Sequence, residues 1–407
     1  MPSFGASAYL AQHRMSTIAF DAKRAFHNGT GLGNYSRTLI RGLATGYPQH
    51  HYLLLNPKPG KHYHKPALPN VEEIRPTGVL GKALPGAWRS RWVSGELKGL
   101  GADLYHGLSH EIPVGIGATG IPSVVTMHDL IFERYPHQYK KIDRAIYRRK
   151  FLYACNNATR IIAISEQTKR DLVAIYGADA ARIDVCYQSC DPAFAERASE
   201  AVREDIRRRY HLPERFLLYV GSLIERKNLL GICKALDALR KEGLPPLLVV
   251  GGGGAYAQLV KDFLREKGLQ DRVRFLSEEA AVTSDPRFRE PATLAAIYQM
   301  ADTMLYPSFF EGFGIPVLEA LWSRVPVITS NASCLPEAAG PGGCYVDPGS
   351  PESIAEAILK LRRDPALAAS LVEQGWAHAQ NFTLERCSAS VMQVYEKVWK
   401  TNSSTPR

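Results

Sequence analysis

No stretch of the 407 residues stays apolar long enough to cross a bilayer as a helix, which takes roughly 20 in succession. Met1 to Arg14 lack the basic start and long apolar core of a secretory leader. They are expected to be an extension ahead of the first strand, either from an upstream start site before Met15 or as a disordered tail. The seven cysteines form no paired CxxC array, and Cys186 with Cys190 is an isolated pair. An odd, scattered set of thiols suits a reduced, cytoplasmic setting. Neither a zinc signature nor an Asp-x-Asp pair of the kind that holds a divalent cation occurs, so no metal is expected. Nucleic-acid-binding motifs are also missing, and over most of the chain basic residues alternate with acidic ones. A net charge of +10 still admits a phosphorylated ligand or an anionic lipid surface.

What remains is a globular composition, 45% hydrophobic and 22% charged, in a chain long enough for two domains. Strand signals at 18–23, 51–55, 103–105, 123–127, 160–164 and 182–186 alternate with helical ones. After a polar, charged segment at 191–212, with Pro192 and Pro213 near its ends, the alternation restarts. Strands are expected at 215–220, 247–250, 272–276, 303–306 and 326–330. This βαβα rhythm predicts an α/β fold of two Rossmann-like, doubly wound parallel sheets. The expected division is an extension at 1–14, a first domain at 15–195, a second at 196–382, and a last helix and tail at 383–407.

The most informative stretch is Tyr306-Pro-Ser-Phe-Phe-Glu-Gly-Phe-Gly-Ile-Pro-Val-Leu-Glu319. An apolar run ends at Tyr306, a turn follows through Gly312 and Gly314, and a helix begins near Pro316, where a missing N–H costs nothing. Glu311 then lies at the carboxyl end of a strand and Glu319 about one turn inside the helix. The helix start supplies free N–H groups and a positive dipole end, so Phe313, Gly314 and Ile315 join the candidate anion site. Two other strand ends carry turns suited to phosphate. Asn28-Gly-Thr-Gly-Leu-Gly33 precedes a helix expected from Asn34, and Gly31 and Gly33 would let backbone N–H groups approach a ligand. It is not the full GxGxxG fingerprint. Gly221-Ser-Leu-Ile-Glu-Arg-Lys-Asn228 offers Ser222, with Arg226 for bidentate contact and Lys227 as a point charge. Thr126-Met-His-Asp-Leu130 would aim His128 into the cleft beside Asp129. His106 and His110 are candidates for acceptor contact. Ser165 reads as a helix N-cap.

Two further segments stand out. From His137 to Arg149 and just beyond, basic Lys140, Lys141, Arg144, Arg148, Arg149 and Lys150 interleave with Tyr139, Ile142, Ile146, Tyr147, Phe151 and Tyr153, a composition that suits either an ordinary domain helix or contact with anionic lipid. The polar stretch 278–290 reads as a lid, an acceptor contact or a plain insertion.

The Glu-x7-Glu stretch, the Arg226–Lys227 loop and the His128–Asp129 pair together resemble the retaining glycosyltransferases of family 4, a GT-B class. The likeness runs from Met15 to Lys400. It implies a cleft between the two domains, with a last helix crossing back onto the first. It implies transfer of a hexosyl unit, mannosyl by the His-Asp pair, from a nucleotide diphosphate sugar, GDP-mannose above all, to a glycan or lipid-linked glycan at the inner membrane face. Arg226, Lys227, Ser222, Gly31, Gly33 and the turn Gly312–Ile315 would hold the diphosphate. Glu311 would bind the donor sugar, Glu319 the ribose, and His128 the sugar from the opposite side. No cofactor or metal is implied. The rival readings are a sugar-nucleotide 2-epimerase of related fold, a glycoside hydrolase using Glu311 and Glu319 as acid and base, and a catalytically silent scaffold.

Overall fold

The computed structural model describes residues 15–60 and 65–403. The extension at 1–14 lies outside them. Among the described residues thirteen parallel strands form two sheets. The first contains β1 (Thr17–Asp21), β2 (His51–Leu55), β3 (Val71–Ile74), β4 (Leu104–Gly107), β5 (Ser123–Met127), β6 (Arg160–Ala163) and β7 (Ile183–Val185) in the order β3-β2-β1-β4-β5-β6-β7. The second contains β8 (Leu217–Val220), β9 (Leu247–Val250), β10 (Val273–Phe275), β11 (Thr303–Tyr306), β12 (Val327–Ser330) and β13 (Gly343–Val346) in the order β10-β9-β8-β11-β12-β13. Both are doubly wound, as the alternation predicts. The inner strands of the second sheet include short apolar runs, LLYV, LLVV and TMLY, buried along their whole length because helices cover both faces.

In such a sheet the direction of winding reverses once, and the loops on either side of the reversal part to leave a crevice. In the second sheet the reversal lies between β8 and β11, so the loop after β8 and the loop after β11 face one another there. These are the Arg226–Lys227 loop and the Glu311–Glu319 segment.

The last helix, Leu384–Ser403, leaves the second lobe and packs on the helix Gly31–Gly46 of the first. Val391, Val394, Tyr395 and Val398 share a core with Ile40 and Leu43. Gly42 makes the crossing close, since a Cβ there would lie 2.1 Å from Ser388 Oγ. Among the described residues no helix is long and apolar enough to cross a membrane.

Four expectations need correcting. The helix after the first glycine turn begins at Gly31, not Asn34. Strands β3 and β13 went unpredicted, because VEEI and GCYV are short edge strands with no long apolar run. The segment 191–212 holds a helix, Glu200–Arg209, capped by Ser199 and anchored by buried Ile206 and Tyr210. The stretch 278–290 is not a lid. Val282 and Phe288 are buried, the Phe288 ring centroid is 5.1 Å from that of Tyr210, and Asp285 accepts a hydrogen bond from the Tyr210 hydroxyl at 3.2 Å.

Candidate active site

At the reversal of the second sheet, Arg226, Lys227 and Glu311 form one cluster. Arg226 Nη1 lies 2.9 Å and Lys227 Nζ 3.6 Å from Glu311 Oε1. The same oxygen accepts from the hydroxyls of Tyr306 and Ser308, each at 2.9 Å, and the Tyr306 hydroxyl is 2.6 Å from Lys227 Nζ. Local backbone explains the fit. Arg226 sits in the tight turn Glu225–Lys227, closed by Asn228 in the left-handed region at φ 60°. Asn228 Nδ2 donates to the carbonyls of Pro307 and Pro348, tying this turn to the Glu311 loop. Lys227 lies over Gly221, where a Cβ would sit 3.2 Å from its Cδ.

The electrostatics are those of an anion site already partly filled by a carboxylate. Burial works to raise the pKa of Glu311, but Lys227 and Arg226 together with their hydrogen bonds outweigh it, so it is held below the usual range and ionised. Arg226 makes a further contact with the Phe310 carbonyl, yet its buried Nε–H has no acceptor. Two cations thus face the Glu311 carboxylate, and Asp129 of the first lobe also lies in the field of Arg226.

Glu319 stands about one turn along the helix Ile315–Trp322, whose N-cap Gly314 has φ 107°. It is half-buried, its Oε2 accepts from the Tyr298 hydroxyl at 2.9 Å, and burial pushes its pKa up to about 7. The Tyr298 hydrogen bond and, after it, the charge of Lys227 pull in the opposite direction. The helix start supplies Gly314 and Ile315 to the crevice. Phe313 does not face it, because its ring is buried between Tyr187 and Phe382, leaving only its backbone for a ligand.

The first lobe meets this cluster closely. A Cβ on Gly312 would lie 2.3 Å from the His128 carbonyl, so glycine is what allows the two loops to cross. Asp129, whose Oδ1 accepts from Ile131 N, is pulled down by Arg226 although burial raises its pKa overall. The Glu337 carboxylate of the second lobe accepts from Glu166 N at 2.7 Å and Gln167 N at 3.0 Å in the first. Ser165 caps the same helix through Thr168 N, as predicted.

The histidines differ from expectation. The His128 ring is packed edge-on against Tyr35 and His110 rather than projecting freely. Its Nε2 is 2.9 Å from the Leu108 carbonyl, which can only accept, so Nε2 carries the proton and Nδ1 is left as an acceptor. Burial, opposed by that hydrogen bond, lowers its pKa to about 4 and keeps the ring neutral. His106 is not an acceptor contact. It is fully buried, with its nitrogens committed to Tyr395 Oη at 2.6 Å and Thr126 Oγ1 at 2.8 Å. Nor is His110, which stacks on Phe151 and takes the backbone N–H of His128.

The two glycines of the first turn also separate. The Gly33 N–H goes to Thr30 O and Asn28 Oδ1, and a Cβ there would strike Asn28 O at 1.8 Å. Gly33 shapes the turn, while Gly31 opens the helix with clear space beside it. Ser222 is exposed on the β8 loop. Residues not singled out from sequence include Ser333, whose Oγ receives the Glu311 N–H at 3.0 Å, and Cys334, whose thiol faces the Glu311 carbonyl at 3.0 Å. Both lie in the segment after β12. Among the described residues no group of three or more His, Cys, Asp or Glu is set to hold a metal ion.

Comparison with known proteins agrees with this architecture. The family model described as glycosyl transferases group 1 matches residues 202–377, and that of glycosyltransferase family 4 matches 29–194. The chain is 28% identical to the O-antigen chain mannosyltransferase B of Escherichia coli, over 72% of this chain and 74% of the relative. The crystal structure of a glycosyltransferase from Rickettsia africae ESF-5 superposes with a TM-score of 0.71 at 16% identity, over 95% of this chain and all of the other. That of Anabaena Alr3699/HepE in complex with UDP and glucose does so with a TM-score of 0.67 at 18% identity, over 96% and 100%. Two family models that between them cover most of both sheets, and a GT-B fold matched over nearly the whole chain, make one conclusion: this chain is a glycosyltransferase enzyme and belongs to the group 1, family 4 glycosyltransferases of GT-B fold.

Proposed function

We propose that the enzyme moves a mannosyl unit, with retention at the anomeric carbon, from a nucleotide diphosphate sugar to a hydroxyl of a growing cell-surface glycan. The observation that carries this reading is the cation pair Arg226–Lys227 at the sheet reversal, with an Arg226 Nε–H that still lacks an acceptor. Departure of a nucleoside diphosphate builds negative charge on its oxygens and positive character on the sugar ring. Arg226, Lys227, Ser222 and the N–H groups at the start of the Ile315–Trp322 helix stabilise the first, with Gly31 approaching from the other lobe. Fixed donors of this kind, aimed where charge develops, contribute about 3 kcal/mol each. Glu311 binds a hydroxyl of the donor sugar, and Glu319 accepts from the ribose hydroxyls. His128 Nδ1, an acceptor held in place by the Leu108 bond, takes a sugar hydroxyl from the opposite lobe. Two protein cations then do what a divalent metal does elsewhere, and none is required. Closure of the lobes excludes water and limits hydrolysis of the donor.

GDP-mannose is the proposed donor, in line with the mannosyltransferase named above. The UDP complex of the Anabaena protein makes UDP-sugars the comparison to run. A panel of nucleotide sugars with an oligosaccharide acceptor, read by chromatography and by NMR of the new linkage, tests the reading. GDP-mannose with acceptor is expected to give an α-linked mannoside. Conversion of the donor alone to its 2-epimer, or cleavage of a glycoside without any nucleotide, would overturn it.

A lipid-linked acceptor calls for contact with a membrane. The helix Lys141–Asn157 leaves Ile142 75% exposed and Ile146 46% exposed, among Lys140, Lys141, Arg144 and Arg149. Val79, Leu80 and Leu84 of the same lobe are also exposed. Flotation with anionic vesicles, and none with neutral ones, is the expected result. Equal recovery from both removes the membrane contact.

A further inference from the structure

At the far end of the helix that carries Glu319 is a second polar cleft, of about 90 Å3, unrelated to the crevice at its N-terminus. It is formed where the segment joining the lobes passes over the helix Pro291–Met300 and the C-terminal turn of Ile315–Trp322. Arg197, Arg203, Gln299, Trp322, Ser323 and Arg324 line it.

Its chemistry is one-sided. Ser323 is 6% exposed, and its hydroxyl has no partner. The Trp322 Nε1–H and the Arg203 Nε–H are likewise buried without an acceptor. Buried donors without partners are costly, each by an amount comparable to a lost hydrogen bond, unless something else supplies the acceptor. The acceptors nearby are already used. Gln299 Oε1 takes Ala198 N at 2.9 Å, and its amide donates to Glu196 O at 2.7 Å, which pins the joining segment down. The helix carbonyls of Glu319, Ala320 and Leu321 are taken by Ser323 N, Val325 N and Arg324 N. Two acidic side chains pair with the arginines, and the Arg324 guanidinium also lies over the Trp376 ring, 4.1 Å from its centroid. Glu200 pairs with Arg203 and Glu373 with Arg324, and both carboxylates are more than two-thirds exposed, at 69% and 68%. Exposed pairs of that kind are worth little and exchange readily.

Three guanidinium groups and two neutral donors around a cleft this small fit a compact oxyanion, while a nucleotide or an oligosaccharide needs several times the volume. We propose that this cleft is a second ligand site, which binds a phosphate group held by Arg203, Arg324 and Arg197 with Ser323 Oγ and Trp322 Nε1 completing its shell. The bound group cross-links the segment between the lobes to the helix that carries Glu319. The site does not depend on the catalytic roles assigned above.

The test is a calorimetric titration of the full chain with inorganic phosphate at constant ionic strength, run beside one with a hexose monophosphate. Saturable binding is expected, kept in Lys227→Ala and weakened about tenfold or more in Arg203→Gln with Arg324→Gln, the loss of two charge-assisted contacts. Ser323→Ala, which removes one oxygen and leaves the surface arginines and the fold alone, weakens it about threefold on the same scale. Tighter binding of the hexose monophosphate identifies an ester as the natural ligand, and equal or weaker binding identifies free phosphate. The site is overturned if phosphate does not bind saturably, if binding disappears in Lys227→Ala, or if the arginine and serine variants bind as the wild type does.

Discussion

Around Arg226 and Lys227 nearly every group is charged or bonded to a charge, while across the cleft, around His128, every ring is neutral and packed against another. The first region is an ion cluster in which two cations converge on one carboxylate oxygen. The second is a set of interlocked aromatics, in which Tyr35, Thr126, His106 and Tyr395 form a continuous hydrogen-bonded chain beneath His128. The contrast separates two tasks. A diphosphate needs fixed charge, which is stable in the interior only when paired. A sugar needs shape and directed acceptors, which a neutral, tightly packed face supplies without a net field.

The largest effect should come from breaking the ion cluster. Arg226→Ala leaves Glu311 buried beside Lys227 alone, and loss of one partner of a buried pair costs about 3–5 kcal/mol. The variant is expected to melt earlier in denaturant and to be inactive. Adding Glu311→Gln removes the stranded charge, so the double variant should recover most of the stability and none of the turnover. A double variant as unstable as Arg226→Ala would mean that Glu311 is not what Arg226 compensates. Lys227→Ala comes next. Glu311 keeps Arg226, so the melting point should hold while kcat falls about 10²–10³-fold, the loss of one preorganised donor. An unchanged kcat would remove Lys227 from the diphosphate.

A smaller effect, in pH, sets the two regions apart. Glu319 is pushed up to about 7 and His128 down to about 4, so of the two only Glu319 changes charge near neutrality. Ribose hydroxyls bind an ionised carboxylate better than a protonated one. As pH falls from 8 to 6 the ionised fraction of a group titrating near 7 drops about tenfold, and donor KM should rise by about that factor. Glu319→Gln should raise donor KM and make it flat over this range. A wild-type KM without pH dependence would detach Glu319 from the ribose.

Much of this was legible in the sequence, for particular physical reasons. An apolar run at 303–306, two glycines and a proline announce strand, turn and helix in order, and that order alone carries Glu311 and Glu319 to a sheet edge. The pairing of Glu311 with Arg226 was not legible, because it depends on β8 and β11 being neighbours at the reversal of the sheet. Glycine patterns misled where they could serve either a ligand or the chain itself. Gly33 yields to its own Asn28 carbonyl, and Gly312 to the carbonyl of His128. Phe313 sat inside the motif yet faces the core, because Tyr187 and Phe382, distant in sequence, form the apolar site that takes its ring. His106 and His110 looked like cleft residues because they follow a strand, but their partners come from the last helix and from Phe151, which no local pattern reveals.

The smallest effect tests the seam between the regions. The helix Glu166–Tyr176 ends in free N–H groups that carry the positive end of its dipole. Ser165 Oγ takes one of them, and Glu337 of the opposite lobe takes two more. That end of the helix is therefore fully capped only while the lobes touch. Arg170, 3.8 Å from the same carboxylate, adds a weak second attraction. Glu337→Gln keeps the shape, removes the charge and leaves one oxygen to serve two donors. A charged hydrogen bond exceeds a neutral one by about 1 kcal/mol, so lobe contact should weaken roughly fivefold. The expected result is a small rise in the radius of gyration by X-ray scattering in solution and a several-fold fall in kcat, with the melting point of each lobe unchanged. If both quantities match the wild type, the crossing of Gly312 over the His128 carbonyl and the packing of the last helix on the first lobe hold the lobes without Glu337, and the charged and neutral halves of the cleft are joined by packing alone.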